Sequence, residues 1–187
     1  MKRLPLTFML LAAVSLGACS GEPDAYMAGA DDGAGAAAPA TTTVAPDPAF
    51  VNDVATAGDK EIEMARIAQQ RAVAPDVQGF ADRMIRDHQQ ASEELRQALT
   101  GTSVVLTVDT DAIQTAGHTL ADLSGAEFDR AYMDMMVTDH ERAVALVEAK
   151  ANGSGNAAVK QWAAKVLPTL KEHLQQAKAI RESLGGS

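Results

Sequence analysis

Four long segments of the chain place an apolar residue at every third or fourth position, and this spacing constrains the fold more than any other feature. Such a stripe is typical of a helix that buries one face against its neighbours. The segments cover residues 48–72, 75–100, 125–152 and 156–184. Helices that each carry one apolar face can bury those faces together, so the sequence predicts an all-α fold arranged as a four-helix bundle.

Local residues mark the ends of these helices. Asp47 before Pro48 is a favourable N-cap followed by a favourable first helical residue. Ser124 with Glu127 three residues later has the capping-box pattern. Pro168 interrupts the last segment, where it removes one backbone hydrogen bond, so we expect a kink or a break there.

The connection between the second and third long helices is unusually long, at about 23 residues. Part of it, residues 111–123, has the composition of a small helix. The other two connections are short and predict antiparallel neighbours. A long crossover between helices 2 and 3 predicts that the middle two helices run parallel.

Two segments, FADRMIRDH at 80–88 and YMDMMVTDH at 132–140, repeat one pattern and end in a histidine at the same helical phase. Each long helix in fact carries one polar residue on its apolar face, near the middle of its length. Because mid-helix residues of a bundle lie at similar height, these side chains are expected to meet in the core. They are Glu61, His88, His140 and His173.

Three imidazoles and one carboxylate suit a first-row transition metal ion such as iron, zinc, copper or manganese. The sequence therefore predicts a metal site formed by Glu61 and the three histidines. The alternative is a hydrogen-bonded core network, with Glu61 bonded to a histidine, that only fixes the register of the helices, because each buried polar group needs a partner. His118 lies in the crossover, outside this pattern.

Three carboxylates directly precede the histidines: Asp87, Asp139 and Glu172. A residue next in sequence is rotated by about 100° around the helix, so these groups flank the buried face. They are predicted to orient the imidazoles of neighbouring helices or to complete a second metal position. A partly solvated row of salt bridges is the other interpretation.

Met84 and Met136 lie one turn before two of the histidines, and a thioether beside an imidazole would suit copper. Methionine at this spacing is more commonly a core residue. The dinuclear-iron signature requires Glu three residues before His, and those positions hold Ile85, Val137 and Leu170. This departure argues against ferroxidase chemistry of the usual ferritin kind.

The first 18 residues have the pattern of a secretory signal peptide, with a basic start and a short apolar run. The run ends in Leu-Gly-Ala-Cys at 16–19, which resembles the lipobox of bacterial lipoproteins. That resemblance implies a lipid on Cys19 and, with Ser20 next to it, an outer-membrane location. Cys19 is the only cysteine, so thiol chemistry elsewhere is excluded.

Residues 19–47 are rich in Gly, Ala and Pro and are predicted to form a flexible tether to a domain at 48–187. The chain has a net charge of −9, and loss of the two cations in residues 1–18 gives −9 − 2 = −11. This acidity argues against binding nucleic acid or anionic lipid surfaces. The expected membrane contact is through the lipid anchor at Cys19.

Several motifs together resemble the bacterial domain-of-unknown-function family 4142. They are the helical segments at 58–68, 80–88, 123–140 and 167–173. The resemblance extends over nearly all of residues 48–184 and implies a ferritin-like four-helix bundle in a periplasmic or outer membrane protein. It implies no activity. The recurrent polar residues of the family correspond to Glu61, Asp87, His88, Asp139, His140 and His173.

These inferences lead to a lipid-anchored protein on the periplasmic face of the outer membrane that binds a transition metal in its core. The site would serve either metal binding or a redox role in envelope stress. The competing hypothesis is a non-enzymatic envelope protein whose polar core is structural and whose acidic surface meets a partner. An oxidase-like enzyme is a third hypothesis, and it would require open coordination positions and an access channel.

Overall fold

The computed structural model describes residues 44–185, which fold into five helices and no strand. The predicted all-α class is confirmed. The count of four helices is corrected to five, because part of the crossover is itself helical. The helices are α1 (Pro48–Arg71), α2 (Pro75–Ala98), α3 (Thr110–Ala121), α4 (Gly125–Asn152) and α5 (Ala157–Gly185).

The predictions about helix ends and interruptions have different outcomes. Asp47 caps α1 as expected, since its carboxylate accepts hydrogen bonds from the backbone N–H groups of Ala49 and Phe50 at 3.1 and 3.3 Å. Ser124 precedes α4, but its side chain makes no capping hydrogen bond, so the predicted capping box was wrong. Helix α5 continues through Pro168 and is not split.

The start of α2 is held by a residue from another helix. Its first residues lack a side-chain cap of their own. Asp129 of α4 is fully buried, and its carboxylate accepts hydrogen bonds from the backbone N–H groups of Val73 and Ala74 at 3.2 and 2.8 Å. Sequence reasoning did not identify Asp129, because its partners are 55 and 56 residues away along the chain.

The buried apolar side chains form two clusters, and their membership fixes the direction of the helices. The first cluster joins the ends of α1 and α5 to the starts of α2 and α4. The second joins the starts of α1 and α5 to the ends of α2 and α4. Helices α2 and α4 are therefore parallel, as the long crossover predicted. The first cluster includes Met64, Ala68, Phe80, Met84, Leu120, Tyr132, Met136 and Ala177, and the second Phe50, Val51, Leu95, Val147, Trp162, Val166 and Leu170.

The crossover between α2 and α4 runs along α1 from the second cluster to the first. Its extended part is tied to α1 by two hydrogen bonds, from the N–H of Thr107 to Asn52 at 2.9 Å and from the N–H of Asp109 to Thr56 at 3.0 Å. Helix α3 then packs against α1, and its residue Leu120 enters the first cluster.

The described residues begin before α1. Pro46 is buried, and the side-chain amide of Asn156 donates a hydrogen bond to the carbonyl of Val44 at 2.8 Å. The predicted signal peptide, Cys19 and most of the predicted tether lie outside residues 44–185. Within those residues, no helix combines the length and the apolarity that crossing a bilayer requires.

Candidate metal centre

A polar layer separates the two apolar clusters at the middle of the long helices. On α2, α4 and α5, the core residue one turn before the layer and the core residue one turn after it belong to different clusters. The layer consists of the four residues that the helical phase singled out, and each is buried, with Glu61 2% and His88 6% exposed. The four are Glu61 on α1, His88 on α2, His140 on α4 and His173 on α5.

The three imidazoles form a compact triangle. Ring centroids are 5.7 Å apart for His88 and His140, 5.5 Å for His88 and His173, and 5.4 Å for His140 and His173. One ring nitrogen from each histidine lies within 4.8 Å of the others. The histidines of α2, α4 and α5, three of the four residues predicted to converge, therefore lie together, and these nitrogens could hold a metal ion.

Two of the histidines each use one ring nitrogen for a hydrogen bond. His140 donates from Nδ1 to the carbonyl of Met136 at 2.9 Å. His173 donates from Nε2 to the carboxylate of Asp87 at 2.8 Å. In a neutral imidazole the other nitrogen then carries the lone pair. Those nitrogens, His140 Nε2 and His173 Nδ1, are buried and have no hydrogen-bond partner in the described structure.

Glu61 lies against the imidazoles of His88 and His140. Its Oε2 is 3.2 Å from Nε2 of His88, and its Oε1 is 3.5 Å from Nδ1 of His140. The first contact is short, but the groups are not aligned for a hydrogen bond, so His88 Nε2 also lacks a hydrogen-bond partner among the described residues. A buried nitrogen without a hydrogen-bond partner is uncommon in folded proteins, and a bound ion is one of the states that would satisfy it.

Burial controls the protonation of this layer. It lowers the pKa of both His88 and His173 to about 4, and it also lowers the pKa of His140. Burial raises the pKa of the Glu61 carboxyl, against the favourable effect of His88. At neutral pH the imidazoles are thus uncharged, which is the form that coordinates metal ions.

These shifts predict that the metal-free protein loses stability in mild acid. Between pH 6.5 and about 4 the unfolded chain binds more protons at these histidines than the folded one, so stability falls as pH falls through that window. Glu61, with its raised pKa, acts in the opposite direction but is a single group. We expect a loss on the order of 2 kcal/mol for each of His88 and His173 by pH ~5. Denaturant titrations at pH 7 and 5 measure it.

The matched comparison is His173→Leu against His118→Leu. The first variant should lose less stability on acidification than the wild type, because one buried titrating group is gone. The second alters an exposed histidine on α3 and should keep the wild-type difference. Equal stability of the wild type at pH 7 and 5 would contradict the assignment of neutral, buried imidazoles.

The three carboxylates that precede the histidines in sequence have different partners. Asp87 reaches across from α2 to His173, and it also accepts a hydrogen bond from Arg83 at 3.1 Å. Burial raises the pKa of Asp87, but these two hydrogen bonds outweigh it and hold that pKa below its usual value. Asp139 pairs with Lys60 at 2.8 Å, and Glu172 pairs with Arg83 at 2.6 Å. Of the three, the structure brings Asp87 to a histidine.

The other residues considered from the sequence lie outside the polar layer. Met84 and Met136 lie in the first apolar cluster, the ordinary position for methionine. His118 is exposed on α3. Sequence reasoning missed Tyr132 as a polar group: its hydroxyl is buried without a hydrogen-bond partner in the described residues, and burial raises its pKa. The stripe showed Tyr132 as one more core residue.

Two cavities border the layer. A surface cleft of about 310 Å³ between α2 and α5 is lined by His88 and His173. An inner cavity of about 50 Å³ on the side of the second cluster is lined by Glu61 and His88. The site therefore has space beside it that residues 44–185 leave unfilled by side chains.

Comparison with protein families matches residues 32–180 to a family described as a domain of unknown function, DUF4142. No curated protein and no solved structure matches the chain. The family match covers most of the chain and all four residues of the polar layer, and its description names no ligand or reaction.

Proposed function

The chain belongs to the DUF4142 family, and from this premise we propose that its function is to bind a transition metal ion in the core through His88, His140 and His173, with Glu61 as the fourth ligand. The observation that carries the proposal is the set of three unpartnered ring nitrogens in one buried layer. A single ion would satisfy all three. The proposal concerns binding, and any redox role would depend on which metal is taken up.

A purely structural network explains the same layer less well. In such a network the polar atoms should satisfy one another, because each unpaired buried group costs about 1–3 kcal/mol. Here the aligned hydrogen bonds point outward from the layer, to Met136 and Asp87. The contact of His88 Nε2 with Glu61 at 3.2 Å is not aligned as a hydrogen bond, so one nitrogen of each histidine has no hydrogen-bond partner among the described residues. Outward bonds of this kind are what orient metal-binding histidines in known sites.

The spacing suits one ion after a small contraction. Nitrogens bound to zinc at ~2.0–2.1 Å in tetrahedral geometry are ~3.4 Å from one another. The ligand nitrogens lie within 4.8 Å of each other, so each pair needs to approach by at most ~1.4 Å. Neutral imidazoles with a carboxylate suit zinc, iron, manganese and copper, and the donor set alone does not choose among them.

We also propose a fold family for the helices. Helices α1, α2, α4 and α5 would form a ferritin-like four-helix bundle, with α3 as an addition in the crossover. Parallel α2 and α4 support that interpretation.

The Leu-Gly-Ala-Cys sequence at 16–19 supports a lipid on Cys19 and a place on the periplasmic face of the outer membrane. Fatty-acid labelling that also marks a Cys19→Ser variant would refute the lipid assignment.

Elemental analysis tests the proposed function. The purified protein is incubated separately with iron(II), zinc, copper and manganese, dialysed against buffer and analysed. We expect about one equivalent of at least one metal and a higher midpoint of thermal unfolding in its presence, because the ion binds the folded state. Protein that remains metal-free with all four ions would favour the structural network.

Asp87 should tune this site through His173. Replacing it with alanine removes the carboxylate that holds the imidazole, and we expect metal affinity to fall by about 10–100-fold. The matched control is Glu172→Ala, because Glu172 shares Arg83 with Asp87 but pairs with that arginine instead of an imidazole. Competition titration against a chelator measures both, and equal affinities in the two variants would show that Asp87 does not act through His173.

A further inference from the structure

The cleft and the inner cavity approach each other beside the metal layer. The cleft opens between α2 and α5, where exposed residues such as Gln90 and Lys165 line it. The inner cavity has no exposed residue among those that line it. The two share four lining residues, which form the wall between them: His88, Ala91, Val166 and Leu170.

Apart from His88, the side chains of this wall are small or able to move. Ala91 contributes a single methyl group, and Val166 and Leu170 are aliphatic side chains that can change rotamer. Beside His88, which borders both spaces, the solvent-facing cleft is thus separated by three small or flexible apolar side chains from a second space that also contacts Glu61. The geometry is that of an access path ending at the ligands.

The protein ligands do not fill every coordination position of a six-coordinate metal ion. Three imidazoles and one carboxylate provide four donors, or five if both carboxylate oxygens bind. A six-coordinate ion such as iron(II) therefore keeps at least one position for an outside ligand. The inner cavity lies beside Glu61 and His88, so an outside ligand there would have space to bind.

We propose that the site takes a small uncharged ligand of two or three heavy atoms, which reaches the metal from the α2–α5 cleft through the inner cavity. This inference rests on the proposed metal site. The size class follows from the cavity volume of about 50 Å³. The charge class follows from its lining, which is aliphatic and aromatic apart from Glu61, His88 and Ser92, because an ion entering it would lose its hydration.

Nitric oxide is a suitable probe, because it is neutral, diatomic and gives an iron(II) complex visible by electron paramagnetic resonance. The full chain is loaded with iron(II) without oxygen, its iron content is measured, and nitric oxide is added in a stopped-flow instrument. We expect one nitrosyl signal per bound iron. Ala91→Leu thickens the wall and should slow the reaction at least tenfold, whereas Val166→Ala thins it and should speed the reaction.

Ala145→Leu is the matched control, since it makes the same change at an exposed position of α4 and should react at the wild-type rate.

Iron-loaded protein without a nitrosyl signal would overturn the inference while leaving metal binding intact. Wild-type rates in both Ala91→Leu and Val166→Ala would overturn the proposed path. If Ala91→Leu fails to fold, an unchanged rate in Val166→Ala is sufficient to reject it. Failure to load iron(II) at all rejects the inference, and elemental analysis with the other metals then decides the proposed function separately.

Discussion

Replacing His140 with alanine is expected to reduce metal affinity by more than about 100-fold, which exceeds the 10–100-fold effect of losing a residue that only orients a ligand. His140 is fully buried, and its Nδ1 is fixed on the Met136 carbonyl, so its Nε2 is presented to the layer without freedom to turn away. Alanine removes that donor. No other described histidine is positioned to replace it, because His118 is exposed on α3.

The measurement is metal content after dialysis, with affinities from chelator competition. His88→Ala and His173→Ala should show losses of the same order, since each removes one of three equivalent donors. His118→Ala should retain the full equivalent. Metal content that falls equally in His118→Ala, or that survives in all three buried variants, would show that the ion binds elsewhere in the protein.

Replacing Glu61 with leucine should act in opposite directions on stability and on metal binding. The carboxyl is buried, its contact with His88 is not aligned as a hydrogen bond, and burial already raises its pKa. The neighbouring imidazoles are neutral, so removal leaves no unpaired charge behind. We expect the metal-free variant to be more stable by about 1–3 kcal/mol, because it no longer bears the cost of burying a polar group without an aligned hydrogen bond. Its metal affinity should fall, since one donor is lost.

Denaturant titration of metal-free protein and chelator competition test the two halves of this expectation. Glu63→Leu, two residues along α1 on a more exposed position, is the control and should alter neither quantity by much. A Glu61→Leu protein that is less stable without metal would mean that the carboxylate holds the imidazoles together structurally. That result would favour the hydrogen-bonded network over the metal site.

Helical phase was sufficient to predict that Glu61 and the three histidines meet, because position on a stripe fixes the direction of a side chain and position along the helix fixes its height. Composition and connection length also predicted α3 and the parallel pair α2 and α4. These properties depend on local periodicity and on the length of the links, and both can be counted in one sequence.

The features that the sequence did not reveal depend on contacts between helices. Asp87 and Asp139 stand in the same relation to their own histidines, yet Asp87 meets His173 and Asp139 meets Lys60. The difference arises from which helix packs beside each of them. Asp129 holds the start of α2 for the same reason, and the cleft and inner cavity exist only once α2 and α5 are packed.

X-ray absorption at the edge of the metal that the protein retains measures the ligand set directly. The account predicts an ion with three imidazole nitrogens at ~2.0–2.1 Å, recognisable by the outer-shell scattering of the rings, and at least one oxygen at a similar distance. In His140→Ala the number of imidazoles should fall to two, or the metal should be lost. A spectrum of oxygen ligands without imidazole scattering in the wild-type protein would contradict the account.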